Sequence, residues 1–147
     1  MNIYKLLFFF IIILNLTSCS KDKIKESVIN EKDLEMQVLE AYKEGKASLE
    51  AGDSLFAAKK FNEAEILYPQ SDWAPRSALM AAYSYYVQDY YSDAEAELLR
   101  FLKVYPKNKN LDYAYYLLAV TNFEQIIDEK KDLKSILSSK KYFNILI

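Results

Sequence analysis

The chain has 147 residues, enough for one domain, and its formal net charge of −2 lacks the positive field that nucleic acid binding requires. It contains one cysteine and no histidine. This excludes an internal disulfide, zinc sites built from cysteine and histidine, and catalytic triads with a histidine base. The two glycines and three prolines lie mostly between segments with helical periodicity, so the composition predicts an all-α protein with short turns.

The first 18 residues have the features of an export signal. Lys5 provides a positive start, Leu6–Leu14 is an apolar run too short to span a membrane, and Leu16–Cys19 resembles the bacterial lipobox. We therefore predict that residues 1–18 are a lipoprotein signal peptide and that Cys19 is acylated, which would anchor the chain in a membrane through several acyl chains. A secretory signal cut elsewhere, with an incidental cysteine, is the alternative.

Residues 19–30 are polar and charged without a strong period, which predicts a flexible tether between lipid and fold. Ser20 follows the cysteine. Aspartate at this position retains bacterial lipoproteins in the inner membrane, so serine favours the outer membrane.

A first pair of helices is predicted between Glu31 and Pro69. The first helix begins at about Glu31 and is stopped by Gly52. Asp53 or Ser54 then begins a second helix that ends before Pro69. The residues of the first helix that recur at helical intervals are Leu34, Val38, Ala41, Gly45 and Leu49.

A second pair follows, bounded by two prolines. Pro75 fits the first turn of a third helix that runs to about Gln88. Ser92 and Glu95 match a capping box, which predicts the start of a fourth helix, and this helix ends before Pro106.

The remaining sequence predicts an unfinished third pair. A fifth helix begins at Leu111 or Asp112 and runs to Ile127, the segment Asp128–Asp132 forms a charged turn, and Leu133–Ile147 begins the second helix of the pair. An apolar end is a poor cap for a repeat array, and no closing proline follows. We therefore expect that the chain is truncated.

The pairs are related by an internal repeat. A shift of 37 residues takes Tyr68-Pro69 onto Tyr105-Pro106, and small residues recur where the helices would cross. This is typical of tetratricopeptide repeats. The residues predicted to pack the repeats are Gly45, Gly52, Ala57, Phe61, Ala64, Pro69, Ala82, Ala94, Leu98 and Pro106.

The predicted fold is thus a tetratricopeptide-repeat right-handed superhelix, an α-solenoid of antiparallel helix pairs. It covers residues 31–147, with repeats at about 37–72, 73–109 and 110–147, the last incomplete. Gly45 and Ala57 would let two helices approach closely while Phe61 fills the groove between them. Helical hairpins in an ordinary bundle are the alternative.

Four runs, together with the lipobox, resemble the BamD family of tetratricopeptide lipoproteins: Tyr68–Tyr86, Phe101–Leu102, Tyr105–Pro106 and Asn110–Tyr116. The chain would correspond to about the first half of a family member. The resemblance implies a lipid-anchored protein on the periplasmic face of the outer membrane that works without catalysis in β-barrel assembly. Its implied partners are a BamA-like barrel subunit, other lipoproteins of the assembly machinery and unfolded outer-membrane β-barrel proteins.

The resemblance also implies that these repeats receive the C-terminal targeting strand of an unfolded client, which is extended and ends in an aromatic residue. An aromatic concave groove suits such a strand, so the predicted client-binding residues are Trp73, Arg76, Tyr83, Tyr86 and Tyr90. Structural alternatives stay open. Tyr83 and Tyr86 would equally suit the repeat core. Trp73 is expected in a turn, where it could staple two repeats together. Arg76 could be solvated instead of binding a client carboxylate.

Two other functions compete with this interpretation. A pilotin-type lipoprotein would have the same architecture but would assist secretin or pilus assembly; the runs Trp73–Arg76 and Asn110–Tyr116 favour the BamD family. An enzyme, such as a cell-wall hydrolase, would need converging acids or a nucleophile with a base. The sequence shows no such constellation, so we predict no catalytic residue, no cofactor, no metal and no nucleic acid partner.

Overall fold

The computed structural model describes residues 31–128, 130 and 132–147. These residues form six helices, α1 (Glu31–Glu50), α2 (Ser54–Leu67), α3 (Trp73–Tyr86), α4 (Tyr91–Val104), α5 (Leu111–Glu124) and α6 (Leu133–Leu146). The all-α prediction is confirmed. None of the six combines the length and apolar character needed to cross a membrane. The predicted signal peptide, Cys19 and the tether lie outside the described residues.

The crossing of α1 and α2 is set by Gly45 and Phe61. A Cβ atom on Gly45 would lie 2.9 Å from both Cδ1 and Cε1 of Phe61, so the ring occupies the space that a side chain would need. Phe61 and Ala57 are fully buried, and the Phe61 ring also packs edge-on against Tyr42, with 5.2 Å between the ring centroids. The small residues thus allow the close approach that the sequence predicts.

The turn between α1 and α2 follows from two adjacent residues. Gly52 has a φ of 85°, a left-handed conformation in which a side chain would be strained. Asp53 caps α2, where its carboxylate Oδ1 accepts a hydrogen bond from the backbone N–H of Phe56 at 3.1 Å. The predicted stop at Gly52 and the predicted start at Asp53 or Ser54 are confirmed.

The loop between α3 and α4 differs from its prediction. α3 ends at Tyr86 instead of about Gln88, and Asp89 turns the chain with a φ of 61°. α4 then begins at Tyr91, and the carbonyl of Tyr90 accepts the backbone N–H of Ala94 at 2.9 Å. The predicted capping box of Ser92 and Glu95 is wrong, because the helix begins before Ser92 and no side chain caps it.

The connection from α5 to α6 is organised by Asp132. α5 ends at Glu124 instead of Ile127. The Oδ2 atom of Asp132 accepts hydrogen bonds from the backbone N–H groups of Ile127 at 2.9 Å and Asp128 at 2.8 Å. These two hydrogen bonds lower the pKa of Asp132 and tie the segment beyond α5 to the start of α6.

Each helix packs against the next along the chain, and the stack curves. The first helices of neighbouring pairs approach one another, α1 to α3 and α3 to α5, whereas no Cα atom of α2 lies within 8 Å of one of α4. The first helices, being closer together, line the inner side of the curve.

Of the residues predicted to pack the repeats, Gly45 and six others are buried at these helix contacts, whereas Gly52, Pro69 and Pro106 are exposed at helix ends. Those that are fully buried are Ala57, Phe61, Ala64, Ala82, Ala94 and Leu98. Pro69 and Pro106 are exposed, and each follows the last residue of its helix, α2 or α4, by two positions.

Candidate functional site

Four tyrosines from α3 and α5 lie together on the inner side of the curve and form what we call the tyrosine surface: Tyr83, Tyr86, Tyr113 and Tyr116. The ring centroids of Tyr83 and Tyr86 are 6.4 Å apart. Burial raises the pKa of Tyr113, and the neighbouring Tyr83, Tyr116 and Tyr86 raise it further, so the hydroxyl groups of these three lie within electrostatic range of Tyr113. Tyr113 and Tyr116 remain 44% and 50% exposed, so a partner could reach them.

The tyrosine surface exists because α5 is apolar on two faces. One face is buried and carries Ala114, Leu117, Leu118 and Thr121. The other carries Tyr113, Tyr116 and Phe123, whose helical spacing places them in an exposed stripe. The structure thus buries Leu117 and exposes Tyr113 and Tyr116, although all three lie on one helix.

Acidic groups border the end of the tyrosine surface near Tyr86. Burial raises the pKa of Tyr86, and Glu124 and Asp89 are among the groups that raise it further. The Tyr91 ring lies 6.0 Å from that of Tyr86, centroid to centroid. Its hydroxyl donates a hydrogen bond of 2.7 Å to Oδ1 of Asp89, which raises the pKa of Tyr91 to about 12.

Trp73 joins the first helix pair to the second. It is the first residue of α3, so its predicted position in a turn is wrong. Its half-buried ring packs on Tyr42 of α1, with 4.9 Å between centroids, and against the cluster of Val38, Ala41 and Ala64. These contacts match the structural alternative, in which Trp73 staples two repeats.

Arg76 is exposed and lies over the ring of Trp73, with Cζ 5.4 Å from the centroid. Burial raises the pKa of Tyr42, and the positive charge of Arg76 opposes this rise. Arg76 also lines an open pocket of about 310 Å³, together with Tyr42, Leu79, Met80, Asn110 and Tyr113. Through Tyr113, this apolar pocket adjoins the tyrosine surface.

Tyr90 occupies the N-cap position of α4 and is 43% exposed. Its neighbour Tyr91, which was not predicted as a site residue, makes the ring contact with Tyr86. The predicted residues therefore divide into Tyr83 and Tyr86 on the tyrosine surface, Arg76 beside it, Trp73 between α1 and α3, and Tyr90 at the start of α4. Tyr113 and Tyr116 were missed as site residues.

On the outer side, an ion pair between buried Glu65 and partly exposed Arg100 connects α2 and α4. Glu65 is only 7% exposed. Its two carboxylate oxygens accept hydrogen bonds from Nη1 and Nη2 of Arg100 at 2.8 and 2.5 Å, and Oε1 also accepts one from the Tyr105 hydroxyl at 2.7 Å. Arg100 donates a further bond from Nε to Glu97 at 2.8 Å. Hydrogen bonding to Glu65 raises the pKa of Arg100, and burial together with the bond to Glu65 raises that of Tyr105.

The described residues contain no candidate metal site. Across residues 31–128, 130 and 132–147, no three His, Cys, Asp or Glu side chains cluster so that they could hold a metal ion.

Comparison with known proteins finds similarity to a family of outer membrane lipoproteins and to outer membrane protein assembly factors. The model of the YfiO family, described as outer membrane lipoprotein, matches residues 34–147. The outer membrane protein assembly factor BamD of Caulobacter vibrioides is 38% identical over 91 residues, which cover 62% of this chain and 30% of that protein. The protein of the same name from Rickettsia prowazekii is 30% identical over 115 residues, 78% of this chain and 46% of the relative. The chain thus spans less than half the length of these relatives.

Proposed function

Because the chain belongs to the YfiO family of outer membrane lipoproteins, we propose that it is a non-catalytic part of an outer-membrane protein assembly factor and holds unfolded outer-membrane β-barrel proteins on its tyrosine surface. Family membership agrees with the resemblance found in the sequence, and the similar proteins from Caulobacter vibrioides and Rickettsia prowazekii are named outer membrane protein assembly factors.

The tyrosine surface is the observation that carries this proposal. Tyrosine offers a large apolar ring and a polar tip, and it loses little conformational freedom when it is covered. An unfolded β-barrel segment alternates apolar and polar side chains along an extended backbone. Rings from α3 and α5 would pack on its apolar side chains, while the hydroxyl groups bond to its peptide groups.

The same proposal places the chain at the periplasmic face of the outer membrane, anchored through acylated Cys19. Its partners there would be a BamA-like barrel subunit and the other lipoproteins of the assembly machinery. The function requires no bond to be made or broken, since a scaffold acts by holding its client near the barrel subunit.

Peptide binding tests the role of the tyrosine surface. The probe is a fluorescent peptide with the sequence of a terminal strand of an outer-membrane β-barrel. The double variant Tyr113→Ala/Tyr116→Ala should bind it at least about tenfold more weakly, because aromatic residues at the centre of an interface commonly contribute about 2 kcal/mol or more. Leu99→Ala is the control, since Leu99 is also 44% exposed but belongs to α4. Equal affinity for the double variant and the control would refute the proposal.

A pull-down from detergent-solubilised outer membranes tests the partners. We expect the chain to recover a barrel-forming assembly subunit. Recovery of a secretin without that subunit would instead support the pilotin-type function.

A further inference from the structure

Aromatic rings and carboxylates lie together where α3 and α5 end. α3 ends at Tyr86 and α5 at Glu124. The Tyr86 ring lies 6.0 Å from that of Tyr91, the first residue of α4, and both rings are partly exposed. Asp89, in the loop between α3 and α4, and Glu124 are fully accessible to a partner. We call Tyr86, Asp89, Tyr91 and Glu124 the acidic end of the tyrosine surface.

The two carboxylates act on the same pair of rings. Burial raises the pKa of Tyr86, and the hydrogen bond to Asp89 raises that of Tyr91. The negative charges of Glu124 and Asp89 raise both pKa values further. Both carboxylates are therefore within electrostatic range of both tyrosines, and a ligand that contacts the rings also meets their negative charge.

Asp89 is held in place by the turn that it forms. Its φ is 61°, and its backbone N–H donates to the carbonyl of Tyr86 at 3.0 Å. Its Oδ1 atom accepts the Tyr91 hydroxyl at 2.7 Å, which uses one of the two carboxylate oxygens. Because the carboxylate is already ordered beside the rings, little conformational freedom is lost when a ligand binds to it.

No positive charge of the described residues is paired with these carboxylates. The ion pairs of residues 31–128, 130 and 132–147 involve neither Asp89 nor Glu124. Neither α3 nor α5 has a basic residue in its last turn, although the helix dipole favours a cation there. The partial negative charges of two helix ends therefore add to the charges of the two carboxylates.

A cationic side chain has the chemistry that fits this arrangement. The faces of tyrosine rings attract an ammonium or guanidinium group. The carboxylates of Asp89 and Glu124 would accept charge-assisted hydrogen bonds from it, while its methylene groups would pack on the rings. An anionic side chain would instead be repelled by both carboxylates.

We propose that the acidic end of the tyrosine surface binds a lysine or arginine side chain of the client polypeptide. This inference rests on the proposed function and adds a charge preference to it. The rings of Tyr113 and Tyr116 contact apolar side chains of the client, and a polar position of the same segment carries the cation that lies between Tyr86 and Tyr91. Among otherwise similar segments, those with a basic residue are held more tightly.

Three peptides test the proposal with the full chain in detergent. Each has ten residues with alternating apolar and polar side chains, an acetylated N-terminus and an amidated C-terminus, so that the ends carry no charge. In the first peptide every polar residue is serine or glutamine, and in the others one central polar residue is lysine or arginine. The repeated pattern lets a peptide shift until its cation reaches the acidic end. Both cationic peptides should bind about three- to tenfold more tightly than the neutral one.

Variants locate the preference. Asp89→Asn/Glu124→Gln should bring the ratio of cationic to neutral affinity close to one, and asparagine tolerates the positive φ of this turn. Glu124→Gln alone leaves the turn untouched and should lower the ratio partway. The control Glu35→Gln/Glu40→Gln removes the same charge from exposed positions on α1 that belong to no ion pair of the described residues, and it should keep the ratio of the parent chain.

The outcomes that contradict the proposal differ from one another. Equal affinity of the parent chain for all three peptides would refute the charge preference, while the proposed function would stand. A ratio lowered as much by the control as by Asp89→Asn/Glu124→Gln would show that the net charge of the chain attracts the cation without a local site. If none of the peptides binds, the proposed function fails and the charge preference fails with it.

Discussion

The substitution Gly45→Ala should destabilise the fold, although alanine is the better helix former. Replacing glycine by alanine inside a helix ordinarily contributes about 1 kcal/mol of stability. Here the new methyl group would lie 2.9 Å from two ring atoms of Phe61 and 3.1 Å from Cζ. Phe61 is fully buried, so the ring has little room to yield. Overpacking of this kind costs about 1–3 kcal/mol, and we expect a net loss of up to about 2 kcal/mol once the helix preference is subtracted.

A double substitution isolates the cause. Phe61→Leu alone should cost about 1–2 kcal/mol, because it leaves a void beside Gly45. In Gly45→Ala/Phe61→Leu the methyl group occupies part of that void, so the combined loss should be smaller than the sum by about 1 kcal/mol or more. The pair would then match the second repeat, where Ala82 and Leu98 stand at the corresponding positions and are fully buried.

Urea unfolding followed by circular dichroism measures these free energies, with an unchanged slope on urea as the sign that the transition is comparable. Gly52→Ala is the control, because nothing lies within 4 Å of its added Cβ and its cost comes from a φ of 85°. We expect about 1–2 kcal/mol for it, with no relief from Phe61→Leu. A Gly45→Ala chain as stable as the parent, or additive losses in the double variant, would refute the argument from close approach.

Two further predictions concern the polar contacts. Glu65→Gln should lower the free energy of unfolding by about 1–3 kcal/mol. This is less than for a fully buried ion pair, because the Arg100 side chain is 38% exposed and keeps its hydrogen bond to Glu97. Urea unfolding measures the loss, and a loss no greater than that of Tyr105→Phe would contradict the prediction. Asp89→Asn should bring the pKa of Tyr91 down from about 12 towards its ordinary value of about 10. Because the folded chain favours the neutral phenol, the stabilisation is present below about pH 10 and is lost as the pH rises towards 12. Tyrosinate absorbance in the Asp89→Asn and parent chains checks this, and identical titrations would exclude the hydrogen bond as the cause.

The helices could be predicted from the sequence where a single local signal determines a boundary. Gly52 supplies a left-handed turn and Asp53 a cap, and both act through atoms within a few residues of themselves. The internal repeat likewise predicted the contact of Gly45 with Phe61, since small and large residues at helical spacing constrain how two helices cross.

Boundaries that depend on contacts further along the chain were predicted less well. Ser92 and Glu95 have the spacing of a capping box, yet the turn at Asp89 lets the helix begin before Ser92. α5 stops short of Ile127 because Asp132, five residues beyond Ile127, accepts its backbone N–H. Neither Asp89 nor Asp132 has a sequence signal as strong as the capping-box spacing or the helical periodicity that it overrides.

The candidate site shows a different limit. Aromatic residues could be identified in the sequence, but α5 is apolar on two sides and periodicity alone does not say which side the neighbouring helices cover. Tyr113 and Tyr116 emerged as site residues only when the packing of α5 on α4 and α6 was known. Trp73 is the opposite case. It was predicted as a site residue, but its ring packs between the first and second helix pairs.

The helix crossings also bear on how such a chain can evolve. The first repeat fills its helix crossing with Gly45 and the ring of Phe61. The second repeat fills the same volume with the methyl group of Ala82 and the side chain of Leu98. Mutational drift from one solution to the other must pass through an intermediate that either clashes or leaves a hole. The difference also disfavours incorrect pairing of helices during folding. The Phe61 ring of the first repeat would clash with Ala82 of α3, where the first repeat has Gly45.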